Sequence, residues 1–292
     1  MKKKVFFIVN PLSGGINKNK IFQDIEEWID NAQFDYQIAV SKDSKDVTTL
    51  SKQALTQEFD AIVGIGGDGT LHAIGNVIVN TSVALGIISY GSSNSLGDHF
   101  KIPKKIEDSL KVINHFKLKT IDTVLINGEE TLLGIGAVGF EAYVVTNTFK
   151  SVKKRGFWKY YYKAAKALPL YPYHNFSLEV DGKLIKIKGL TITFANISQY
   201  GKNGIIAPFA KDDDGYLDII IAKPFPIYAL PKIFYQIYHG TIHHSPYAQM
   251  IKCKTATIYD AEIVAHLDGE TYLAKDALTL SIAPKSLKII VP

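Results

Sequence analysis

The segment that most constrains this chain is Ile62-Val-Gly-Ile-Gly-Gly-Asp-Gly-Thr-Leu71. An apolar run of one strand's length passes directly into Gly66-Gly67-Asp68-Gly69-Thr70. Leu71, Ile74 and Ile78 then recur at helical spacing. A strand that feeds a helix in this way is the building unit of a parallel sheet covered by helices. The glycines let the backbone approach an anion and take positive φ, and the helix start that follows presents N–H groups to phosphate. Asp68, set among them, is a poor anion ligand but suits a direct or water-mediated partner of Mg2+. The plainer reading is a tight turn in which Asp68 and Thr70 cap the helix. One glycine-rich turn alone does not separate the two.

The surrounding sequence repeats the same grammar. Val5–Val9, Tyr36–Val40, Ala61–Ile65 and Val83–Ser89 read as strands, and helical patterns over residues 21–32, 47–55, 71–78 and 106–116 alternate with them. Asn10-Pro11-Leu12-Ser13-Gly14-Gly15 follows the first strand, and Gly91-Ser92-Ser93-Asn94-Ser95 follows the fourth. Three strands thus end in loops of small residues on one edge, the edge where parallel sheets bind ligands. The spacing is neither that of a P-loop nor that of a dinucleotide fingerprint. The residues point to a phosphate- or nucleotide-binding edge.

Beyond residue 122 the pattern changes. Asn127-Gly128 and Asp181-Gly182 sit between β-rich runs as hairpin turns. Residues 183–197, 216–222, 255–258, 262–267 and 278–282 read as strands, with helical stretches near 156–168 and 227–238. We expect an α/β domain with a parallel sheet over 1–122 and an antiparallel β-sandwich over 123–285, with a last strand at about 286–292 returning to the first domain. A length of 292 residues suits two domains. Cys253, the one cysteine, excludes an internal disulfide and any multi-cysteine metal site. The apolar run Val5–Val9 is too short for a signal-peptide core, and no run approaches the roughly 18 apolar residues of a membrane helix, so a cytoplasmic chain is expected. His239, His243 and His244 cluster, but no acid at helical spacing completes a metal set, and we read them as structural.

Taken together, Asn10-Pro-x-Ser-Gly, Gly66-Gly-Asp-Gly-Thr70 and Gly91-Ser-x-Asn94 resemble the three nucleotide loops of the diacylglycerol kinase catalytic domain. That family includes bacterial diacylglycerol kinases, sphingosine kinases and ceramide kinases. The resemblance continues with Asp214-Gly-Tyr-Leu-Asp218, Gly240-x-x-His243 and Leu267-Asp-Gly-Glu270, and spans nearly the whole chain in the right order. The Gly-Gly-Asp-Gly-Thr element alone is shared with NAD kinases. The resemblance implies an NAD kinase/diacylglycerol kinase-like fold and a lipid kinase. Its γ-phosphate would pass from ATP to a diacylglycerol- or sphingosine-type hydroxyl in the interdomain cleft. It implies nucleotide contacts from Asn10, Pro11, Ser13, Gly14, Ser41, Gly66, Gly67, Gly69, Thr70, Ser92 and Asn94, with Asp68 and Glu270 catalytic. Glu270 would be the base that takes the lipid hydroxyl proton. Asp214, with the carbonyls of Lys211 and Tyr216, matches a structural Mg2+ site. Rival readings are an NAD kinase and a catalytically silent nucleotide- or lipid-binding protein. The chain departs from the bacterial pattern at Leu71-His72-Ala73, commonly Leu-Asn-Glu, and at Ser92 and Ser95, commonly Thr and Asp. Those changes bear on the lipid class more than on phosphoryl transfer.

Charge is concentrated. The net charge is +5, and the seven Lys and Arg residues between Lys150 and Lys166 alone carry +7, which leaves −2 for the rest. No acid follows before Glu179, and Phe157, Trp158, Tyr160, Tyr161, Tyr162, Leu168, Leu170, Tyr171 and Tyr173 are interleaved or adjoin. Basic residues with interfacial aromatics suit anionic lipid headgroups. The same mixture would stack on nucleic-acid bases, and a solvated helix packing its aromatic face is the plainer reading. With the resemblance, we expect peripheral contact with an anionic membrane through about 150–173 and no nucleic acid; whether the chain forms a homodimer stays open.

Overall fold

A computed structural model describes residues 1–14, 17–91, 94–149, 162, 164–200 and 204–292. They form two units, Met1–Ile121 with Lys285–Pro292, and Asp122–Pro284.

In the first unit, β1 (Lys3–Val9), β2 (Phe34–Val40), β3 (Ala61–Gly66) and β4 (Ala84–Ser89) alternate with α1 (Lys18–Trp28), α2 (Ser44–Thr56), α3 (Asp68–Ile78), α4 (Ser95–His99) and α5 (Ile106–His115). The strands pair in parallel in the order β4-β3-β1-β2. Val5, Phe7, Ile8, Ile62, Ile65, Leu85 and their helical partners Ile21, Ile25, Leu71 and Ile74 are fully buried. Continuous apolar runs are what a parallel sheet covered on both faces requires. The helical pattern predicted through Ala32 stops at Trp28. Asp30 then makes a turn in which its carboxylate accepts from Ala32 N at 2.9 Å and its carbonyl from Gln33 N and Phe34 N, which competes with helix continuation. Register decides what this sheet displays. Val9 lies opposite both Val40 and Ile65, and Ile65 opposite Ile88, so four strands end at one level.

The second unit is a β-sandwich. β5 (Leu118–Ile126) leads into β6 (Glu130–Leu132), β7 (Ile135–Gly139) and α6 (Phe140–Phe149). β8 (His174–Val180), β9 (Lys183–Gly189), β10 (Thr191–Ala195), β11 (Gln199–Tyr200), β12 (Gly204–Ile205) and β13 (Leu217–Ala222) follow. A helix over Leu230–Tyr238, β14 (Ala248–Cys253), β15 (Thr255–Leu267) and β16 (Glu270–Ile290) complete the chain. The predicted helix near 156–168 falls largely outside the described residues. Strands read separately at 255–258 and 262–267 are one strand, β15, whose register against β16 breaks between Tyr259 and Glu262. Its first half pairs with β8 and its last residues with β7, the usual effect of a bulge that bends a strand. Asn127-Gly128 and Asp181-Gly182 turn with positive φ at both residues, as two-residue hairpins demand. The core includes Leu178, Ile192, Phe194, Ile219, Ile258, Leu278 and Cys253, whose thiol is pushed up to about 12 by burial and the nearby Asp181 and Asp218 carboxylates. Beyond Lys285 the chain belongs to the first unit, where Lys288 and Ile289 pair in parallel with Ala84 and Leu85.

One polar row crosses the second unit. Thr193, Ala137, His266 and Thr271 lie opposite one another on β10, β7, β15 and β16 and share a face. Glu141, in the first turn of α6, is buried and accepts the Thr193 hydroxyl at 2.6 Å. Burial raises its carboxyl to about 7, and the Thr193 bond opposes that only in part. A carboxyl whose folded pKa lies above its unfolded value stabilises at low pH and loses that contribution as pH rises through the folded pKa. We expect Glu141→Gln to be more stable than the parent at pH 8, by on the order of 3 kcal/mol at most, and to lose that advantage at pH 4.5. Urea denaturation of both proteins at the two pH values checks this; equal midpoints at pH 8 contradict it.

Candidate functional site

The level strand ends of the first unit put four loops side by side. Asn10 N donates to Ile65 O at 3.0 Å, Ser41 N to Val9 O at 3.0 Å and Tyr90 N to Gly66 O at 2.7 Å, so each loop starts on its neighbour's last carbonyl. Side chains then tie the loops together. Asn10 Nδ2 donates to Thr70 Oγ1 at 2.9 Å, and Asn10 Oδ1 accepts from Leu12 N at 3.0 Å, which shapes the turn over Pro11 and Ser13. Asn94 is in the left-handed region, where its amide closes a ring on Gly91: Oδ1 accepts from Gly91 N at 2.7 Å and Nδ2 donates to Gly91 O at 2.8 Å. Ser41 is buried with its hydroxyl 3.4 Å from Val9 O. Ser92 lies outside the described residues.

Two close approaches explain the glycines. A Cβ on Gly91 would lie 2.5 Å from Gly67 Cα and 2.6 Å from Asn94 Oδ1, while one on Gly67 would lie 3.0 Å from Gly91 Cα. Gly14 has φ +60, and any side chain there would run into the Tyr90 carbonyl. The three glycine loops therefore touch by backbone, a packing that excludes side chains and leaves amides at the surface. Gly67 caps α3 by backbone alone, its carbonyl accepting from Thr70 N at 2.9 Å, and no side chain caps this helix start, the end that attracts anions.

Asp68 is the one acid in the sequence of these glycine loops, and sequence reasoning understated its structural role. Its Oδ2 accepts from Ser95 N at 3.0 Å and its Oδ1 from Leu96 N at 3.4 Å, which caps α4 from another loop. A carboxylate oxygen accepts more than one bond, so the same group can serve a hydrated Mg2+ as well as the cap. His72 is buried with its ring 3.2 Å from Asn76 Nδ2.

In the second unit, Glu270 opens β16 beside the two-residue turn Asp268-Gly269, opposite Leu267. Asp268 anchors that turn. Its carboxylate accepts from Leu133 N at 2.9 Å, Gly134 N at 2.8 Å and Ile135 N at 3.2 Å, while its own N–H donates to Ile135 O. Nothing near Asp268 in the sequence reveals this, because the partners lie far back in the chain. His266, two residues before, is buried and held down to about 4 by desolvation, with Asp268 pulling the other way.

The loop expected to hold a structural Mg2+ through Asp214 and the carbonyls of Lys211 and Tyr216 has its carboxylate engaged by a lysine. Lys252 Nζ stands 2.6 Å from Asp214 Oδ2 and 3.6 Å from Asp218 Oδ2, and Asp214 Oδ1 accepts Tyr216 N at 3.1 Å. An ammonium already neutralises the only anionic donor of that set. The loop is otherwise held by Asp122, whose Oδ2 accepts Gly215 N at 2.7 Å and whose N–H donates to Asp212 O. Among the described residues, no group of three or more His, Cys, Asp or Glu side chains could hold a metal.

Comparison with known proteins places this geometry. The family described as "Diacylglycerol kinase catalytic domain" matches residues 4–126, and "YegS C-terminal NAD kinase beta sandwich-like domain" matches 134–291. The chain belongs to the diacylglycerol kinase catalytic-domain family. It is therefore an enzyme of the lipid kinase class, a class that uses ATP. A diacylglycerol kinase of Staphylococcus saprophyticus is 26% identical over 281 residues, covering 92% of this chain and 90% of that one. One of Mycobacterium tuberculosis is 27% identical over 295 residues, covering 99% and 95%. A crystal structure described as a diacylglycerol kinase of Bacillus anthracis superposes with a TM-score of 0.76 at 20% identity, covering 99% of this chain and 97% of that one; it shares the fold.

The close backbone contacts yield a direct expectation. Gly91→Ala should lower stability by roughly 1–3 kcal/mol, the cost of relieving a backbone clash, and should weaken binding of a fluorescent ATP analogue at least tenfold. Gly128→Ala is the control: it strains a residue at φ +75, yet its Cβ meets nothing within 4 Å, so it should lose stability without losing nucleotide. Guanidinium melts and nucleotide titrations of the two variants check it, and equal nucleotide affinity of Gly91→Ala and the parent contradicts it.

Proposed function

We propose that this chain transfers the γ-phosphate of ATP to the hydroxyl of a diacylglycerol-type lipid. The observation that carries the reading is the convergence of Asn10, Gly67-Asp68, Gly91 and Asn94 at one sheet edge, with backbone amides and a single carboxylate in contact. Phosphoryl transfer is mostly positioning and charge neutralisation, so a cradle of amides needs little further chemistry. Asn10, Ser13, Gly14, Gly67, Gly69 and Thr70 would hold the phosphates, with Ser92 and Asn94 closing the cradle.

Asp68 would hold a hydrated Mg2+, which when bound offsets the charge of the β- and γ-phosphates. In the transfer, the acceptor oxygen bonds to the γ-phosphorus as the bridging P–O bond to the β-phosphate breaks. ADP departs, and the acceptor's proton passes to the Glu270 carboxylate. Asp268 acts on Glu270 indirectly, because the amides it binds fix the turn from which Glu270 projects. The names of relatives in Staphylococcus and Mycobacterium support diacylglycerol as the acceptor. Peripheral contact with anionic membrane through about 150–173 belongs to the same reading; residues 150–161 and 163 lie outside the described residues. Among the described residues, no helix is long and apolar enough to cross a membrane.

The test is labelled-ATP transfer over diacylglycerol, sphingosine, ceramide, phosphatidylglycerol and NAD. Diacylglycerol should be the preferred acceptor; transfer to NAD alone, or nucleotide binding with no transfer to any acceptor, overturns the reading. Asp68→Asn and Glu270→Gln should each lower kcat by about 100-fold or more with an unchanged far-UV spectrum. An active Asp68→Asn enzyme would remove Asp68 from the metal role.

A further inference from the structure

The amides that bind Asp268 belong to residues 133–135, and those residues are in turn gripped by Asn196. Asn196 follows directly on β10 and is fully buried. Its backbone N–H donates to Gly134 O at 2.9 Å. Its side-chain Nδ2 donates to Leu133 O at 3.0 Å and to Asp122 O at 2.8 Å. Both protons of the amide are thus spent on carbonyls, and one of those carbonyls lies in the segment whose N–H groups face Asp268.

The amide carries a cost that the fold accepts. Its Oδ1 is buried without a hydrogen-bond partner, whereas buried polar atoms are nearly always paired. Turning the amide over would set Oδ1 against two carbonyl oxygens, so the orphan follows from the two bonds that Nδ2 makes. An apolar side chain would leave no such orphan; what it would lack is the two donors. The segment they hold has no slack. A Cβ on Gly134 would lie 2.9 Å from Asp268 Oδ1 and 3.1 Å from Ile197 Cδ1. A shift of residues 133–134 therefore has to move the carboxylate.

The far end of the grip is fixed as well. Asp122 N donates to Asp212 O at 2.7 Å, and Asp122 Oδ2 accepts from Gly215 N at 2.7 Å. A continuous series of hydrogen bonds runs from Asp122 through Asn196 and Leu133 to Asp268, all inside the second unit. It ends at a turn that needs holding. Asp268 and Gly269 both have positive φ, and a Cβ on Gly269 would meet nothing within 4 Å, so packing does not fix the tip from that side.

We propose that Asn196 is a positioning residue for the transfer. It keeps residues 133–135 where their amides bind Asp268, and so sets where the Glu270 carboxylate stands. This rests on the reading of Glu270 as the base. Asn196 acts on the acceptor side alone, because the glycine loops belong to the first unit.

The experiment uses the full chain with labelled ATP and dispersed diacylglycerol, well below the melting temperature of every variant. Asn196→Ala should lower kcat by roughly fivefold or more, the scale of a misplaced catalytic group, and leave the KM for ATP within about twofold. In a Glu270→Gln background the same substitution should cost less than about twofold, because no base is left to misplace. Hydrogen exchange should quicken in peptides covering 133–135 and 266–272 and stay unchanged in those of the glycine loops. If Asn196→Ala does not fold, Asn196→Ser, which keeps a hydroxyl donor, is read by the same measures. A smaller loss of kcat, a larger change in the KM for ATP, or unchanged exchange at 133–135 and 266–272 overturns the proposal. So does a loss that persists in full in the Glu270→Gln background, the mark of a general structural defect. Full activity of Glu270→Gln alone would overturn the base reading, and the positioning role with it.

Discussion

The first unit is organised around backbone touching backbone where Gly67 meets Gly91. The loops after β3 and β4 can share one surface only because neither carries a Cβ there. Asp68 then spans the same gap with its carboxylate on Ser95 and Leu96 amides, so the acid of the central loop also starts the next helix. Asn10, bonded to Thr70, brings the first loop to the same place. Amides are plentiful where side chains cannot go, and the loops' one acid is fixed by backbone donors. Preorganised donors of this kind do not have to be reoriented during the reaction.

The second unit solves a different problem with the same means. Three amides of residues 133–135 converge on Asp268, and Glu270 projects from the turn so fixed. The turn before Glu270 is held by a neighbouring acid and not by Glu270 itself. Lys252 on Asp214 does the corresponding work at the loop 211–216, where an ammonium holds the carboxylate.

What can be read from the sequence, and what cannot, divides by range. The four parallel strands and their glycine loops are legible because burial on both faces leaves an unbroken apolar run, and a close backbone approach leaves glycine. β7 and α6 escape such a reading, since Leu132-Leu-Gly-Ile-Gly-Ala-Val-Gly-Phe-Glu-Ala carries no clear period of two or of 3.6. β14 escapes it because five of its six residues are half-buried or exposed, with no alternation to betray it. Asp268 reads as an ordinary turn acid, for its partners are more than 130 residues away. The helix at 230–238 is legible as a helix, yet its periodicity does not say which side is covered: Gln236 is buried with Ile233 and Ile237 half-buried, while Tyr235 and Tyr238 are exposed.

The buried thiol of Cys253 has a practical corollary. A thiolate is the reactive form, and a group held near 12 inside the sandwich core supplies almost none of it at neutral pH. Because it is the chain's only cysteine, the natural protein behaves toward maleimides as if it had none. A cysteine placed at any chosen surface position would be the sole site of labelling. Spin labels or environment-sensitive dyes can thus be walked along the outer side of the tyrosine-bearing helix without first engineering a background free of native thiols.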